Sequence, residues 1–511
     1  MNGAESLVRT LVAAGVDTCF ANPGTSEMHF VSALDKVEGM RSILVLYEGV
    51  ATGAADGYWR MADKPASTLL HLGPGLANGL SNIHNARKAA SGMVNIIGEH
   101  ASCHLAYDAP LASDIEGLAR PLSDWVKTSP RSSTIGADAA QAVAEARLSR
   151  IASLILPGDT AWEEGGIIAS PITPSTPPVD ITAVEAAARA LMNGDQAMLI
   201  IGGKATRGKA LELAGRICGK TGVTLATQFF TARVERGAGR VSAFRIPYFV
   251  DPALAALKGF KHIVTVETRE PVAFFAYPDK PSLLKSPDAE VYQACGPRSD
   301  GLAVLEALAE AVGARPSHAR YQERTDTPLP SGALNQQTIA QILSALIPEN
   351  AIVVDESVTT GRESFALTAG AAPHDWLQNM GGSIGFGLPV ATGAAVACPD
   401  RRVISLSGDG CAMYTLQSLW TQAREGLNVT TLVFSNRAYQ ILRVEFAGVG
   451  AGAPGKKAAE MMSLDNPPLD FVALAKGMGV PASRVTTCEE LVAAMRRDLR
   501  EPGPRLIEVM L

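Results

Sequence analysis

Two polar residues that follow separate apolar runs constrain the fold of this chain more than any other sequence feature. The run Val403 to Ser407 leads into Gly408-Asp409-Gly410, and the run Val429 to Ser435 ends at Asn436. Each run has the length and composition of a buried parallel strand, and a helix-like stretch from Cys411 to Arg424 lies between them. We therefore predict that Asp409 and Asn436 lie at the carboxyl edge of an open α/β sheet, where such sheets bind ligands.

The residue types at this edge suit a magnesium ion that is shared with a diphosphate. Mg²⁺ prefers six oxygen ligands and usually takes one or two carboxylates together with phosphate oxygens and water. Asp409 offers a carboxylate, Asn436 an amide oxygen and Ala438 a backbone carbonyl. Gly408 and Gly410 allow the backbone to approach a phosphate closely, with a helix amino terminus aimed at it. A Gly-Asp-Gly triplet alone is common in strand–turn–helix loops, so the prediction depends on the second strand end.

A second candidate site element lies near the amino terminus. An apolar run from Arg41 to Tyr47 ends at Glu48, and a stretch of small residues from Gly49 to Tyr58 follows as a predicted helix. A carboxylate at this place has two interpretations. It is either an acid–base group of an active site or a helix amino-terminal residue stabilised by the helix dipole.

With these two segments, the chain resembles the thiamine diphosphate-dependent enzymes of the acetolactate synthase, pyruvate oxidase and benzoylformate decarboxylase group. The resemblance extends over nearly the whole chain. It implies an α/β fold with three doubly wound parallel-sheet domains. Two proline-containing linkers, 171–178 and 315–332, divide the chain accordingly: a pyrimidine-binding domain at 1–170, a central domain at 181–315 and a diphosphate-binding domain at 335–511.

The resemblance also assigns cofactor contacts. It implies that Glu48 touches N1′ of the aminopyrimidine and activates the cofactor, and that Asp409, Asn436 and Ala438 hold Mg²⁺. Segment 379–387 resembles the loop that bends the cofactor, with Ile384 between its rings and the Gly382 carbonyl accepting from its 4′-amino group. The other implied cofactor contacts are Thr359, Gly408, Gly410, Cys411 and Tyr439. For Thr359 a strand-end turn remains an alternative, and for Tyr439 core packing does.

The predicted substrate side separates the branches of this group. His71 follows the apolar run Thr68 to Leu70, and benzoylformate decarboxylases have a histidine there that handles protons. Thr25, with Ser26 beside it, matches a hydroxyl that binds the substrate carboxylate in those enzymes. The alternatives are a structural histidine and a turn-forming Asn-Pro-Gly-Thr loop.

Two departures from the relatives limit the assignment. Acetolactate synthases carry a glutamine where this chain has Leu111, which weakens the synthase interpretation. Benzoylformate decarboxylases have a second histidine in the central domain, and the matching stretch 271–277 has none. Ile441 and Glu445 are predicted to line the substrate pocket. Glu445 would be an unusual charge near a 2-oxo acid, and a solvated helix face is its alternative.

Composition excludes several classes of protein. The net charge of −6 disfavours nucleic acid as a partner, and no apolar run reaches the length needed to span a membrane. The seven cysteines are scattered without a metal-binding or disulfide spacing, which together with the absence of a signal peptide predicts a cytoplasmic protein. Because only 19% of the residues are charged, we expect much surface to be buried between subunits.

These features favour one function and leave two alternatives. We predict decarboxylation of a small 2-oxo acid with thiamine diphosphate and Mg²⁺, in a homodimer at minimum or a tetramer built from two dimers. The alternatives are carboligation of the acetolactate synthase kind and a relative that binds the cofactor without turnover. Some relatives hold FAD in the central domain. Segment 202–208 is only loosely glycine-rich, so we predict a structural domain without FAD.

Overall fold

The strands of this protein form three separate sheets, each flanked by helices. The computed structural model describes residues 1–194 and 196–511. All strand pairs within the three sheets are parallel except one at the edge of the third. The prediction of an α/β fold with three parallel sheets is therefore confirmed.

The first sheet is built from the amino-terminal third and has the order β2-β1-β3-β4-β6-β5. Its central strands are apolar and buried on both faces, as expected for a parallel sheet covered by helices. Its strands are β1 (Thr18–Ala21), β2 (Arg41–Leu44), β3 (Ser67–Leu70), β4 (Met93–Glu99), β5 (Trp125–Thr128) and β6 (Ile151–Pro157). Its helices are α1 (Gly3–Ala13), α2 (Met28–Lys36), α3 (Glu48–Ala62), α4 (Leu72–Lys88), α5 (Ile115–Ala119), α6 (Ile135–Arg147) and α7 (Gly158–Trp162).

The second sheet is built from the middle of the chain and has the order β10-β8-β7-β11-β12. Its strands are β7 (Ala197–Ile201), β8 (Thr224–Thr227), β10 (Phe244–Arg245), β11 (His262–Val266) and β12 (Glu290–Cys295), and strand β9 (Val234–Arg236) leaves this region to join the third sheet. The helices of the region are α8 (Ile181–Met192), α9 (Gly208–Thr221), α10 (Val250–Leu257) and α11 (Gly301–Ala311).

The third sheet has the order β17-β18-β16-β15-β13-β14-β9. Strand β9 pairs antiparallel with β14, placing Val234 opposite Trp376. The remaining strands are β13 (Ile352–Glu356), β14 (His374–Gln378), β15 (Val403–Gly408), β16 (Val429–Ser435), β17 (Ala482–Val485) and β18 (Arg505–Met510). The helices are α12 (Gln336–Leu346), α13 (Ser364–Leu367), α14 (Gly387–Ala397), α15 (Asp409–Ala412), α16 (Ser418–Glu425), α17 (Gln440–Gly448), α18 (Lys456–Glu460), α19 (Phe471–Gly477) and α20 (Cys488–Asp498).

Helices α3 and α14 join the first sheet to the third through a contact that only small residues allow. A Cβ atom on Gly57 would lie 2.1 Å from the carbonyl oxygen of Val390, and one on Gly393 would lie 1.8 Å from that of Ala54. Real Cβ atoms do not approach backbone so closely, so both positions require glycine. The small residues that follow Glu48 in the sequence therefore serve this close helix contact.

A buried ion pair reinforces the same junction. The Arg60 guanidinium donates to both carboxylate oxygens of Asp56 at 2.8 Å, and both side chains are almost completely buried. Its remaining nitrogen donates to the carbonyls of Ala232 at 2.9 Å and Gln378 at 2.7 Å. Arg60 thus connects the amino-terminal helix α3 to the other two thirds of the chain.

The region around the predicted diphosphate edge differs from expectation in one respect. The two predicted strands are present as β15 and β16, but the single predicted helix from Cys411 to Arg424 is divided into α15 and α16. In the turn between them, the Thr415 hydroxyl donates to the carbonyl of Gly385 at 3.0 Å. The break between α15 and α16 therefore allows the Thr415 side chain to stabilise the loop between β14 and α14.

Among the described residues, no helix combines the length and the apolar character needed to cross a membrane.

Candidate active site

The Asp409 carboxylate lies at the carboxyl edge of the third sheet, where β15 ends and α15 begins. It accepts from the backbone N–H of Gly410 at 2.8 Å and from that of Arg437, beyond the end of β16, at 2.6 Å. The second contact ties together the two strand ends on which the sequence prediction relied. Burial raises the pKa of Asp409, and the backbone donors oppose that shift.

Asn436 and Tyr439 complete this edge. The side-chain oxygen of Asn436 accepts from the Ala438 backbone N–H at 3.0 Å. The ring of Tyr439 lies on Gly410, where an added Cβ would be 2.4 Å from the ring. Cys411 is buried behind the edge, with its sulfur 3.7 Å from the Cβ position of Gly408.

The donors at this edge suit a hard cation that is shared with a ligand. The described residues contain no group of three or more His, Cys, Asp or Glu side chains able to hold a metal ion by themselves. One carboxylate, one amide oxygen and a backbone carbonyl match the incomplete oxygen set that Mg²⁺ takes beside phosphate oxygens. Asp409, Asn436 and Ala438 therefore fit a metal that binds together with a diphosphate.

The loop between β14 and α14 carries Gly382 and Ile384 and is fixed by its own first residue. The Asn379 side chain accepts from the backbone N–H groups of Gly381 at 3.1 Å and Gly382 at 2.9 Å, and it donates to the Ser383 carbonyl at 2.7 Å. Gly382 has a φ of 77°, a conformation that favours glycine. An added Cβ there would also lie 2.5 Å from the ring of Phe274.

Helix α4 of the amino-terminal third holds the same loop from the other side. The Asn85 amide donates to the Ser383 carbonyl at 2.9 Å and accepts from its N–H at 3.2 Å. Asn82 donates to the Gly385 carbonyl at 3.2 Å. The loop conformation is therefore set jointly by the first and last thirds of the chain.

Glu356, which sequence reasoning missed, anchors the loop where helix α14 begins. Its two carboxylate oxygens accept from the backbone N–H groups of Phe386 at 2.9 Å and Gly387 at 2.8 Å. Burial raises its pKa to about 7, opposed by these backbone donors. The signal available in the sequence was its position just after the apolar run Ala351 to Val354. Thr359, the predicted cofactor contact, lies in the turn beyond it and is half-buried.

The amino-terminal candidates meet at the carboxyl edge of the first sheet. Nδ1 of His71 lies 2.8 Å from an oxygen of Glu27 and 3.3 Å from the hydroxyl of Ser26, which donates to the other oxygen of Glu27. Glu27 is fully buried and also accepts from the Gly24 N–H at 2.8 Å. Glu27 is a second residue that sequence reasoning missed. Its signal was a carboxylate three residues after Gly24 in the loop that holds Thr25, which is exposed.

Glu48 is the first residue of α3 and is buried beside the same cluster. One of its oxygens accepts from the Asn78 amide at 3.0 Å. A Cβ on Gly75 would lie 3.0 Å from the other oxygen and 3.3 Å from Cβ of His71. The structure therefore places Glu48 and His71 close to each other.

A cavity of about 650 Å³ lies over the carboxyl edge of the third sheet. Of the predicted residues, Gly382, Ile384, Tyr439, Ile441 and Glu445 line it. Its other walls include aromatic residues of the middle region that sequence reasoning did not select: Phe229, Phe230, Tyr248, Phe274 and Phe275. No described residue of the first sheet lines it, so Thr25, Ser26, Glu48 and His71 lie elsewhere in the same chain. Leu111 is 41% exposed and is also outside this lining.

This combination of fold and site defines a family. The models for the N-terminal and C-terminal TPP-binding domains of thiamine pyrophosphate enzymes match residues 1–113 and 363–509, respectively. The chain belongs to this thiamine pyrophosphate enzyme family; thiamine pyrophosphate is another name for thiamine diphosphate. The resemblance inferred from the sequence motifs is confirmed.

Individual relatives carry two different activities in their names. The chain is 51% identical to a Mycobacterium tuberculosis protein named "Putative acetolactate synthase large subunit IlvX", over 100% of this chain and 99% of that one. It is 30% identical to benzoylformate decarboxylase of Pseudomonas aeruginosa, over 97% and 96% of the two chains. A similar solved structure is 4-hydroxybenzoylformate decarboxylase of Rhodococcus jostii, with a TM-score of 0.85, 23% identity and coverage of 100% and 99%. That last likeness supports the fold.

Proposed function

We propose that this protein decarboxylates a 2-oxo acid with thiamine diphosphate and Mg²⁺. The observation that carries the proposal is the contact of His71 with the buried carboxylate of Glu27, beside Glu48. A carboxylate at Nδ1 fixes the tautomer and orientation of an imidazole, which leaves Nε2 for proton transfer. Such an oriented histidine serves a reaction that ends with protonation of the product.

The third sheet supplies the residues that would hold the cofactor. Asp409, Asn436 and the Ala438 carbonyl would bind Mg²⁺, and Gly408 and Gly410 leave room for the diphosphate. Ile384 would support the bent conformation of the cofactor, and the Gly382 carbonyl would accept a hydrogen bond from its 4′-amino group. When bound, the cofactor would delocalise the electron pair that stays on the substrate carbon as CO₂ leaves.

The first sheet supplies the proton-handling residues. Glu48 would hold a proton at N1′ of the aminopyrimidine, oriented by the hydrogen bond from Asn78. His71 would donate a proton to the carbon that has lost CO₂, and Thr25 and Ser26 would bind the substrate carboxylate. In this proposal the third sheet binds the cofactor and the first sheet handles protons.

We further propose that two chains form each site. Within one chain, the described lining of the cavity contains no residue of the first sheet, so the proton-handling groups would come from a second copy. Exposed apolar side chains near the first sheet, with Tyr107 76% exposed and Leu111 41% exposed, are consistent with burial against that copy. A homodimer is the minimum assembly, and a tetramer of two dimers is expected. An active monomer, observed by light scattering during turnover, would contradict this.

We expect the central region to be a structural domain that binds no FAD. The Glu267 carboxylate accepts from the backbone N–H groups of Ala205 at 2.8 Å and Gly301 at 3.2 Å. Converging backbone N–H groups of this kind bind the phosphates of nucleotides. Here a side chain of the protein itself occupies them, which disfavours a dinucleotide at this place.

A carboligase of the acetolactate synthase kind is the second candidate. It is favoured by the relative that shares 51% identity and carries that name. A cofactor-binding relative without turnover is the third candidate, because segment 271–277 lacks a second histidine.

Measuring CO₂ release and the organic product over a panel of 2-oxo acids separates these candidates. A decarboxylase gives one aldehyde per CO₂, a carboligase gives a 2-hydroxy ketone or 2-hydroxy-2-alkyl oxo acid, and a non-catalytic relative gives neither. We expect His71→Ala to lower aldehyde formation by a factor of roughly 10²–10⁴, as for the loss of one acid–base group. His29→Ala, which changes an exposed histidine on α2, is the control. If His71→Ala and His29→Ala behave alike, the decarboxylase proposal loses its main support.

A further inference from the structure

Glu445 is a buried carboxylate with one oxygen that no side chain satisfies. It lies on α17, is only 9% exposed and lines the cavity over the third sheet. One oxygen, Oε2, accepts from the hydroxyl of Tyr277 at 2.9 Å. Within the described residues, no donor forms a hydrogen bond to the buried Oε1, although burial and the neighbouring Glu445 carboxylate together raise the pKa of the Tyr248 hydroxyl. The sequence alternative of a solvated helix face is therefore wrong.

The nearby cation does not provide the missing partner. Arg362 lines the same cavity, but its guanidinium lies over the ring of Phe249 at 4.4 Å and that of Tyr248 at 5.8 Å. The ion pairs found in the described parts of the chain do not include Arg362 with Glu445. Burial lowers the pKa of Arg362, and the nearby Tyr248 and Glu445 oppose that shift, so Arg362 and Glu445 attract each other without a direct contact. The carboxylate is thus held by Tyr277 at one oxygen and left available at the other.

Aromatic rings line the same cavity as Glu445. Phe230 and Tyr248 each pack against Phe274, with ring centroids 5.8 and 5.7 Å apart, and Phe275 follows at 4.9 Å from Phe274. Such walls favour an apolar body the size of an aromatic ring. A single carboxylate oxygen set in them would fix the orientation of a polar substituent on that body.

The carboxylate is remote from the predicted diphosphate edge. Helix α17 begins after Tyr439, whose ring packs on Gly410. Glu445 follows six residues later, which corresponds to about 9 Å along a helix axis. Gly382, Ile384 and Glu445 line the same cavity, so a ligand that reacts near this loop and extends across the cavity would contact Glu445.

We propose that Glu445 selects 2-oxo acids whose side chain is a ring-sized apolar body that ends in a hydrogen-bond donor, such as a hydroxyl or an amine. The inference rests on the proposed function and adds the substrate class to it. A buried acceptor without a partner is unfavourable, and a donor on the ligand would remove that cost. A substrate that ends in a second carboxylate has no hydrogen-bond donor to offer to this oxygen.

The test compares matched ligands in the cofactor-loaded enzyme. Turnover is measured with phenylglyoxylate and its 4-methyl, 4-hydroxy, 4-aminomethyl and 4-carboxy derivatives. Binding of the unreactive 2-hydroxy acids, mandelate and the same 4-substituted mandelates, is measured by calorimetry. We expect the 4-hydroxy or the 4-aminomethyl compounds to exceed the 4-methyl compounds by roughly 10- to 100-fold in kcat/KM and in affinity, the range for a hydrogen bond to a charged group. The two donor arms show whether a neutral or a cationic donor is preferred.

Variants locate the preference in one side chain. Glu445→Gln should reduce the preference for donor-bearing ligands at least tenfold and relieve the exclusion of the 4-carboxy compound. Tyr277→Phe keeps the carboxylate and should preserve the preference. Glu460→Gln removes the same charge from an exposed residue on α18 and should change nothing. Thermal unfolding of each variant confirms that it is folded.

The outcomes separate this inference from the proposed function. If mandelates bind with the Glu445-dependent preference but no CO₂ is released from any 2-oxo acid, the substrate class stands and the reaction is wrong. If CO₂ is released but Glu445→Gln leaves the ligand preference unchanged, the reaction stands and the inference about Glu445 is overturned. Equal binding of donor and methyl compounds by the unaltered protein overturns it as well.

Discussion

Removing Arg60 should destabilise the junction of the sheets far more than removing a comparable surface arginine. In Arg60→Met, a side chain of similar length replaces the guanidinium, so helix α3 keeps most of its packing. Asp56 then remains buried without its ion pair, and the carbonyls of Ala232 and Gln378 lose a donor.

The expected size follows from burial. Arg60 and Asp56 are 2% and 1% exposed, and breaking a buried pair by removing one partner costs about 3–5 kcal/mol. Arg120 pairs with Glu116 in the same i, i+4 arrangement, but these side chains are 64% and 39% exposed. Exposed pairs contribute about 0–1 kcal/mol, so Arg120→Met is a matched control.

Amide hydrogen exchange followed by mass spectrometry measures this difference in stability segment by segment. Because each 1.4 kcal/mol is a factor of ten, amides of α3 and of segment 379–386 should exchange roughly 10²–10³-fold faster in Arg60→Met. In Arg120→Met, they should change less than about fivefold. If the two variants show the same small change, the buried pair does not hold the junction and the reasoning from burial fails.

Three further outcomes are expected. Asp409→Ala should abolish Mg²⁺-dependent binding of thiamine diphosphate, and calorimetry showing unchanged affinity would disprove the metal assignment. Glu48→Gln should keep cofactor binding but slow exchange of the cofactor C2 proton by roughly 10²–10⁴-fold, which NMR would measure; an unchanged rate removes Glu48 from activation. Burial lowers the pKa of His374 from 6.5 to about 4, so the unfolded chain binds more protons between these pH values. Stability should therefore fall by up to about 3 kcal/mol as pH decreases from 6.5 to 4, and urea titrations of His374→Phe should lack this component.

The strand ends at the diphosphate edge were predictable because they follow from local sequence. The runs that became β15 and β16 are continuous and apolar, and a polar residue follows each, so both their type and their ends could be read. The division of the helix after Asp409 could not be predicted, because the turn depends on the hydrogen bond from Thr415 to the carbonyl of Gly385, 30 residues earlier. Local propensity contains no information on such a contact.

The candidate site was only partly predictable for the same reason. Glu48 and His71 were selected because each follows an apolar run, and their roles stay predictions. Glu27 and Glu356 were missed because their roles depend on partners at Nδ1 of His71 and at the start of α14. The aromatic wall was missed because nothing in its spacing indicates that Phe274 lies on Gly382.

Strand β9 has a consequence for protein engineering. Residues Val234–Arg236 lie within the segment predicted as the central domain, yet they complete the edge of the third sheet beside β14. A chimera that exchanges residues 181–315 with a relative would also exchange this edge strand. A fragment that starts at residue 335 would keep the pairing of β14 with β13 but expose its outer edge, and exposed strand edges promote aggregation. The three sheets are therefore poor units for recombination unless the β9 segment stays with the sheet it completes.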